Sequence, residues 1–134
     1  FFVSCDEVQL EAVILNIVSN AGDAFAGEPG TVTLSFTAVD KQDLDKEVVT
    51  ALQMPMADTY AQVEIADDGP GIKPDVIDRI FDPFFTTKKS GEGTGLGLSV
   101  AQGVVTEHGG AITVSSVLGE GTVFRIYLPQ TNDQ

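Results

Sequence analysis

Apolar positions recur along the chain with two distinct periods. From residue 6 to 25, Leu10, Ile14, Ile17, Ala21 and Ala24 form a single stripe at the 3.6-residue repeat, which predicts an amphipathic helix. Ser4 or Asp6 is positioned to cap it, and Gly27, Pro29 and Gly30 stop it. The next segment, 31–39, alternates: Val32, Leu34, Phe36 and Ala38 face one way and Thr31, Thr33, Ser35 and Thr37 the other, which predicts a half-buried strand. Residues 40–60 are polar, acidic and irregular, with Met54-Pro55-Met56 inside, and read as an extended connection. A second strand follows at 61–66 with Val63 and Ile65 inward.

Residues 67–73 form a glycine-proline turn, and Pro74 opens a short helix to about residue 80. A loop at 81–94 leads into a helix at 95–108, with Leu98, Ala101, Val104 and Val105 on its inner side and Gly109-Gly110 at its end. Strands at 111–117 and 122–128 close a hairpin across Leu118-Gly119-Glu120-Gly121. This order predicts an α+β fold: a two-layer α/β sandwich with a mixed, mostly antiparallel sheet and helices on one face.

Composition narrows the function. The 134 residues fit one domain, and 43% hydrophobic content suffices for a core that buries about two-thirds of the unfolded surface. The net charge of −13 repels nucleic acid and anionic membrane, and no partnership with either is expected. It also repels phosphates, so a nucleotide site here needs a metal ion, backbone N–H groups and a placed cation. The only adjacent basic residues, Lys88 and Lys89, precede the most glycine-dense stretch. A lone cysteine, Cys5, excludes an intrachain disulfide and a cysteine metal cluster. No apolar run nears 18 residues, and a cytoplasmic location is expected. The chain starts without Met and reads as a piece of a longer protein, whose possible membrane anchor stays open.

Four segments carry candidate chemistry. Asn16, Asn20 and Asp23 fall within about 60° of one another on a helix, beside the apolar stripe. Such a face is either solvated or turned to a cleft, where a neutral amide oxygen can ligate Mg²⁺ without adding charge beside phosphates. Asp67-Asp68-Gly69-Pro70-Gly71 follows a strand directly. It is either an ordinary acidic turn or a carboxylate placed to accept a hydrogen bond from an exocyclic amine, with glycines that admit close approach. Phe81-Asp82-Pro83-Phe84-Phe85 runs into Lys88 and Lys89; Phe81 reads as a core plug. Gly91-Glu92-Gly93-Thr94-Gly95-Leu96-Gly97-Leu98 leads into a helix, either as a hinge or as an anion cradle. It matches neither the Walker nor the Rossmann pattern. His108, the only histidine, stands at a helix end and is expected to bond terminal carbonyls.

Taken in order, these segments resemble the N box (15–21), first glycine box (67–72), F box (81–85) and second glycine box (91–98) of histidine kinase catalytic domains, within the GHKL superfamily. His108-Gly109-Gly110 and Phe124-Arg125-Ile126-Tyr127-Leu128-Pro129 fit as well, so the likeness covers about residues 5–129. The resemblance implies the Bergerat ATP-binding fold, with a lid between residues 81 and 94. It implies Mg²⁺ on Asn20, and Asn16, Asn20 and Lys88 as catalytic groups at the phosphates. It implies a nucleotide pocket built from Asn20, Asp23, Asp67, Gly69, Gly71, Ile72, Phe81, Thr94, Gly95, Leu96, Gly97 and Leu98. Asp67 would take the adenine amine, Gly69 and Gly71 would shape the adenine pocket, and Gly93, Gly95 and Gly97 would hinge the lid.

The implied activity is transfer of the ATP γ-phosphoryl group to a histidine on separate dimerisation helices, and through them to a response regulator. The family's own phospho-acceptor motif is not in this chain. Hydrolytic relatives of the gyrase and chaperone type place Glu four residues before the metal-binding Asn as a base for water, whereas this chain has Asn16 there. An anti-sigma-type serine kinase and a non-enzymatic nucleotide-responsive module are the remaining alternatives.

Overall fold

The computed structural model describes residues 2–3, 7–25, 27–52, 57–82 and 97–131. The elements run β1 (Phe2–Val3), α1 (Glu7–Ala24), β2 (Val32–Asp40), α2 (Lys46–Ala51), β3 (Thr59–Asp67), α3 (Pro74–Ile77), α4 (Gly97–Glu107), β4 (Ala111–Val117) and β5 (Gly121–Thr131). The proposed caps Ser4 and Asp6, the Met54-Pro55-Met56 run and residues 83–96 lie outside the description.

Among the described residues, all four strand pairings are antiparallel. β5 pairs with β3, β4 and β1, and β2 pairs with β3 at the sheet's edge. Because side chains alternate along a strand, one face collects Val63 and Ile65 of β3, Phe124, Ile126 and Leu128 of β5, and Ile112 of β4. Helices α1 and α4 lie on that face. The α1 stripe holds from Leu10 to Ala21, with the Ala24 side chain outside the description: Ile17 is fully buried and Val13 and Ala21 nearly so, while Leu10 and Ile14 pack on the core. Ala101 and Val105 of α4 are buried beside Leu98 and Val104. Removing this apolar surface from water is the main term holding the layers together.

Two expectations need correction. Residues 40–60 are not an extended connection: Lys41–Asp43 is a turn of 3-10 helix and α2 follows. Val48 and Leu52 are buried with Tyr60, Ala111 and Tyr127, in a second cluster on the side of the sheet away from α1 and α4. The small apolar content of this segment, set four residues apart, is enough for one short helix once Tyr60 provides a surface. Burial raises the Tyr127 phenol above its ordinary pKa; Arg125 opposes this, and Asp45, Glu47 and Glu64 add to it.

The second correction concerns β2. Leu34 lies opposite Ile65 and Phe36 opposite Val63, so both point to the helix-covered side. Yet Leu34 and Phe36 are 40% and 67% exposed on the edge strand, where Val32 at the start of β2 is the residue that packs on the core among those half-buried. Alternation reveals which face a residue is on, but not how far the covering layer extends. Among the described residues, no helix is long and apolar enough to cross a membrane.

Candidate nucleotide site

The turn after β3 is the best-defined part of the site. Asp67 ends the strand half-buried, and its Oδ1 accepts the Gly69 N–H at 2.9 Å. Asp68 does different work: its Oδ1 accepts the Thr31 N–H at 2.8 Å, and its own N–H donates to the Thr31 carbonyl, which ties the turn to the start of β2. Of the two adjacent carboxylates, Asp68 is exposed and spent on the backbone, whereas Asp67 is the one turned inward.

The β4–β5 hairpin fixes the far side of the turn. Ser116 Oγ accepts the Ile72 N–H at 2.7 Å and donates to the Gly121 carbonyl at 2.9 Å. With its single proton on Gly121, the 2.9 Å contact to buried Thr122 Oγ1 has Thr122 as donor. The Gly119 N–H donates to the Pro70 carbonyl at 2.8 Å. Gly71 has φ +79°, and Gly121, at φ +129°, lies with its Cα against the Asp67 carbonyl, where a side chain would have no room. Ser116 and Gly121 thus position Asp67 from more than forty residues away, and no local pattern marks them. The Gly-Glu-Gly turn at 119–121 is a hairpin signal that does not say what it leans on.

Asn16 and Asn20 sit half-buried on α1, a turn apart, beside Val13, Ile17 and Ala21. Asp23 shares the helix, with its side chain outside the description. The end of α1 meets the acidic turn through Phe25, whose ring lies over Gly69 and Gly30. Ile72 packs on the core, as does Phe81, whose ring meets Phe124 edge-to-face at 6.5 Å and 87°. The reading of Phe81 as a core plug holds. Gly97 begins α4 and Leu98 packs inward from its first turn. Lys88, Thr94, Gly95 and Leu96 lie outside the described residues, together with Phe84 and Phe85. His108 takes the structural place expected of it, with Nδ1 2.7 Å from the Val104 carbonyl at the end of α4.

The arrangement has known counterparts. Residues 5–132 match the family of histidine kinase-, DNA gyrase B- and HSP90-like ATPases. The sensor kinase CckA of Brucella abortus is 43% identical over 128 residues, covering 96% of this chain but 13% of that protein. The nucleotide-free catalytic domain of histidine kinase ThkA superposes with a TM-score of 0.70 at 31% identity, covering 96% of this chain and 71% of that one. Full-length ShkA in complex with AMPPNP gives 0.73 at 30% identity, covering 98% of this chain and 23% of the other. The chain therefore belongs to the histidine kinase-, DNA gyrase B- and HSP90-like ATPase family, as an ATP-binding catalytic domain of its histidine-kinase branch.

Proposed function

We propose that this domain binds Mg-ATP and presents the γ-phosphate to a histidine on separate dimerisation helices of its parent, which then supply a response regulator. The observation that carries the reading is the half-buried Asp67 carboxylate, held on a turn that is bonded to both β2 and the β4–β5 hairpin. A carboxylate fixed in this way recognises an exocyclic amine without reordering. With Oδ1 taken by Gly69, Oδ2 is the oxygen that receives the amine. AMPPNP bound to the ShkA relative supports an adenine nucleotide as the ligand.

The donor set suits magnesium shared with phosphates. Asn16 and Asn20 offer neutral oxygens on one helix face. Among the described residues, no three His, Cys, Asp or Glu side chains form a self-sufficient cage. An ion that keeps its waters and shares phosphate oxygens needs only one or two protein ligands. Asn20 would hold it, with Asn16 beside the phosphates, and the ion would supply positive charge against the triphosphate in a chain of net charge −13. The first N–H groups of α4, from Gly97 onward, carry the positive end of that helix's dipole and favour an anion beside them.

In the transfer, the acceptor imidazole lone pair forms the N–P bond while the bond to the ADP oxygen breaks, and ADP leaves with the electron pair. The protein's part is alignment and charge neutralisation. Asn16 stands where hydrolytic relatives place a base, and an amide does not activate water. The direct test mixes this domain, ATP and Mg²⁺ with the helical hairpin of its parent. Phosphohistidine on the hairpin is expected; steady release of phosphate without it would place the domain with the hydrolases.

Asp67→Asn tests the base contact. The amide oxygen can still accept the Gly69 N–H, so the turn survives, but the charged acceptor is gone. A hydrogen bond to a charged group contributes about 1.5–3 kcal/mol, so calorimetric ATP affinity should fall by about 10- to 100-fold. Unchanged affinity in well-folded protein would remove the adenine assignment.

A further inference from the structure

We propose that β2 is a docking edge for a second copy of this chain, the two β2 strands pairing antiparallel about a two-fold axis at Ser35. The pairing is independent of the nucleotide site. β2 borders the sheet, and among the described residues no strand lies beyond it. It pairs with β3 in an unbroken register from Val32↔Asp67 to Asp40↔Thr59. Every second residue of such a strand turns its N–H and C=O away from the neighbouring strand, which leaves a template for one more. Edge strands are ordinarily blunted by lysine, proline, a bulge or brevity. β2 has none of these. It runs nine residues, its register has no bulge, and no charged residue stands between Glu28 and Asp40, the last residue of the strand.

The strand is complementary to itself. With Ser35 opposite Ser35 of the second copy, Leu34 lies across from Phe36 and Val32 from Ala38, so apolar positions meet apolar ones on the helix-covered side. Leu34 and Phe36 are the exposed large apolar residues of β2, and this pairing covers both. On the other side Thr33 meets Thr37. Moving the axis to Phe36 sets Val32 against Asp40, and moving it to Leu34 leaves Ala38 facing Gly30. Charge selects the occupant in the same way. Along β2 an acidic segment finds no cation, and a basic one no carboxylate before Asp40. An uncharged β-branched and aromatic strand is the match, and this chain carries one in β2 itself.

Edge pairing alone makes a small interface, so the dimer should be weak. Sedimentation equilibrium from about 10 µM to 1 mM is expected to show monomer passing to dimer and nothing larger, because a two-fold contact closes on itself. Phe36→Lys places a charge in the apolar seam at an exposed position and should leave a folded monomer at every concentration. Ser35→Cys in a Cys5→Ser background reads the register. Directly opposite residues stand about 4.5–5.5 Å apart at Cα, within disulfide range, so oxidation should link two chains. Thr33→Cys in the same background is the control, since its two copies would stand roughly 14 Å apart and should not link. A monomer throughout would leave the edge to a partner of other sequence and overturn the proposal. So would a dimer unchanged in Phe36→Lys, or linkage through Thr33→Cys as ready as through Ser35→Cys.

Discussion

Replacing Asn20 with alanine should cut phosphotransfer to the parent's helical hairpin by at least about 100-fold and leave the fold intact. The side chain stands half-buried on α1, one turn after Asn16 and beside the buried Ile17 and Ala21. Alanine is the better helix former by a few tenths of a kcal/mol, and the neighbouring core residues keep their packing. The thermal midpoint should therefore hold or rise slightly. If Asn20 holds the magnesium of a bound Mg-ATP, its loss acts on the ion's position, and the defect persists at saturating ATP. Excess Mg²⁺ should restore only part of the rate. Asn20→Asp keeps an oxygen ligand but adds negative charge beside the phosphates, and should fall between the two. The measurement is transfer of radiolabel from ATP to the hairpin, with a melting curve for each variant. Near-normal transfer by the alanine variant would show that the amide face of α1 is a solvated surface after all.

Much of this architecture is legible in the sequence, and the parts that are not share one cause. The stripe on α1, the inward residues of β3 and α4 and the hairpin depend on neighbours within a few residues, so local periodicity finds them. Helix α2 escapes because Val48 and Leu52 acquire an apolar partner only when Tyr60 and Tyr127 form a second face across the sheet. The exposure of Leu34 and Phe36 escapes because no pattern within β2 reports where the helical layer ends. The site divides in the same way. Asp67 and its glycines form a local motif, whereas Ser116 Oγ, the Gly121 contact and the Phe25 ring are tertiary supports. A ligand-binding motif can be read from spacing, but the scaffold that makes it rigid is drawn from distant chain.

That scaffold makes Gly71→Ala a strongly disruptive small substitution at the site. Gly71 is at φ +79°, a region that costs an L-residue roughly 1–2 kcal/mol. Its added methyl would meet the Val117 carbonyl oxygen at 2.5 Å, the Val117 carbonyl carbon at 2.9 Å and the Leu118 Cα at 3.0 Å. These are backbone atoms of the hairpin, which no side-chain rotation can move aside. Relief requires the 67–72 turn and the 117–121 hairpin to part, and that breaks the bonds from Ile72 to Ser116 and from Gly119 to Pro70. Forced overpacking adds roughly 1–3 kcal/mol to the backbone strain, so the total should be about 2–5 kcal/mol. For a domain of this size that lowers the thermal midpoint by about 7–18 °C. ATP affinity should fall with it, because the carboxylate of Asp67 is aimed by the same turn. Gly119 provides the control: it has φ +82° but open space around a Cβ, so Gly119→Ala carries the backbone strain without the clash. Equal losses in the two variants would mean that strain alone matters, and that contact between turn and hairpin does not hold the site in place.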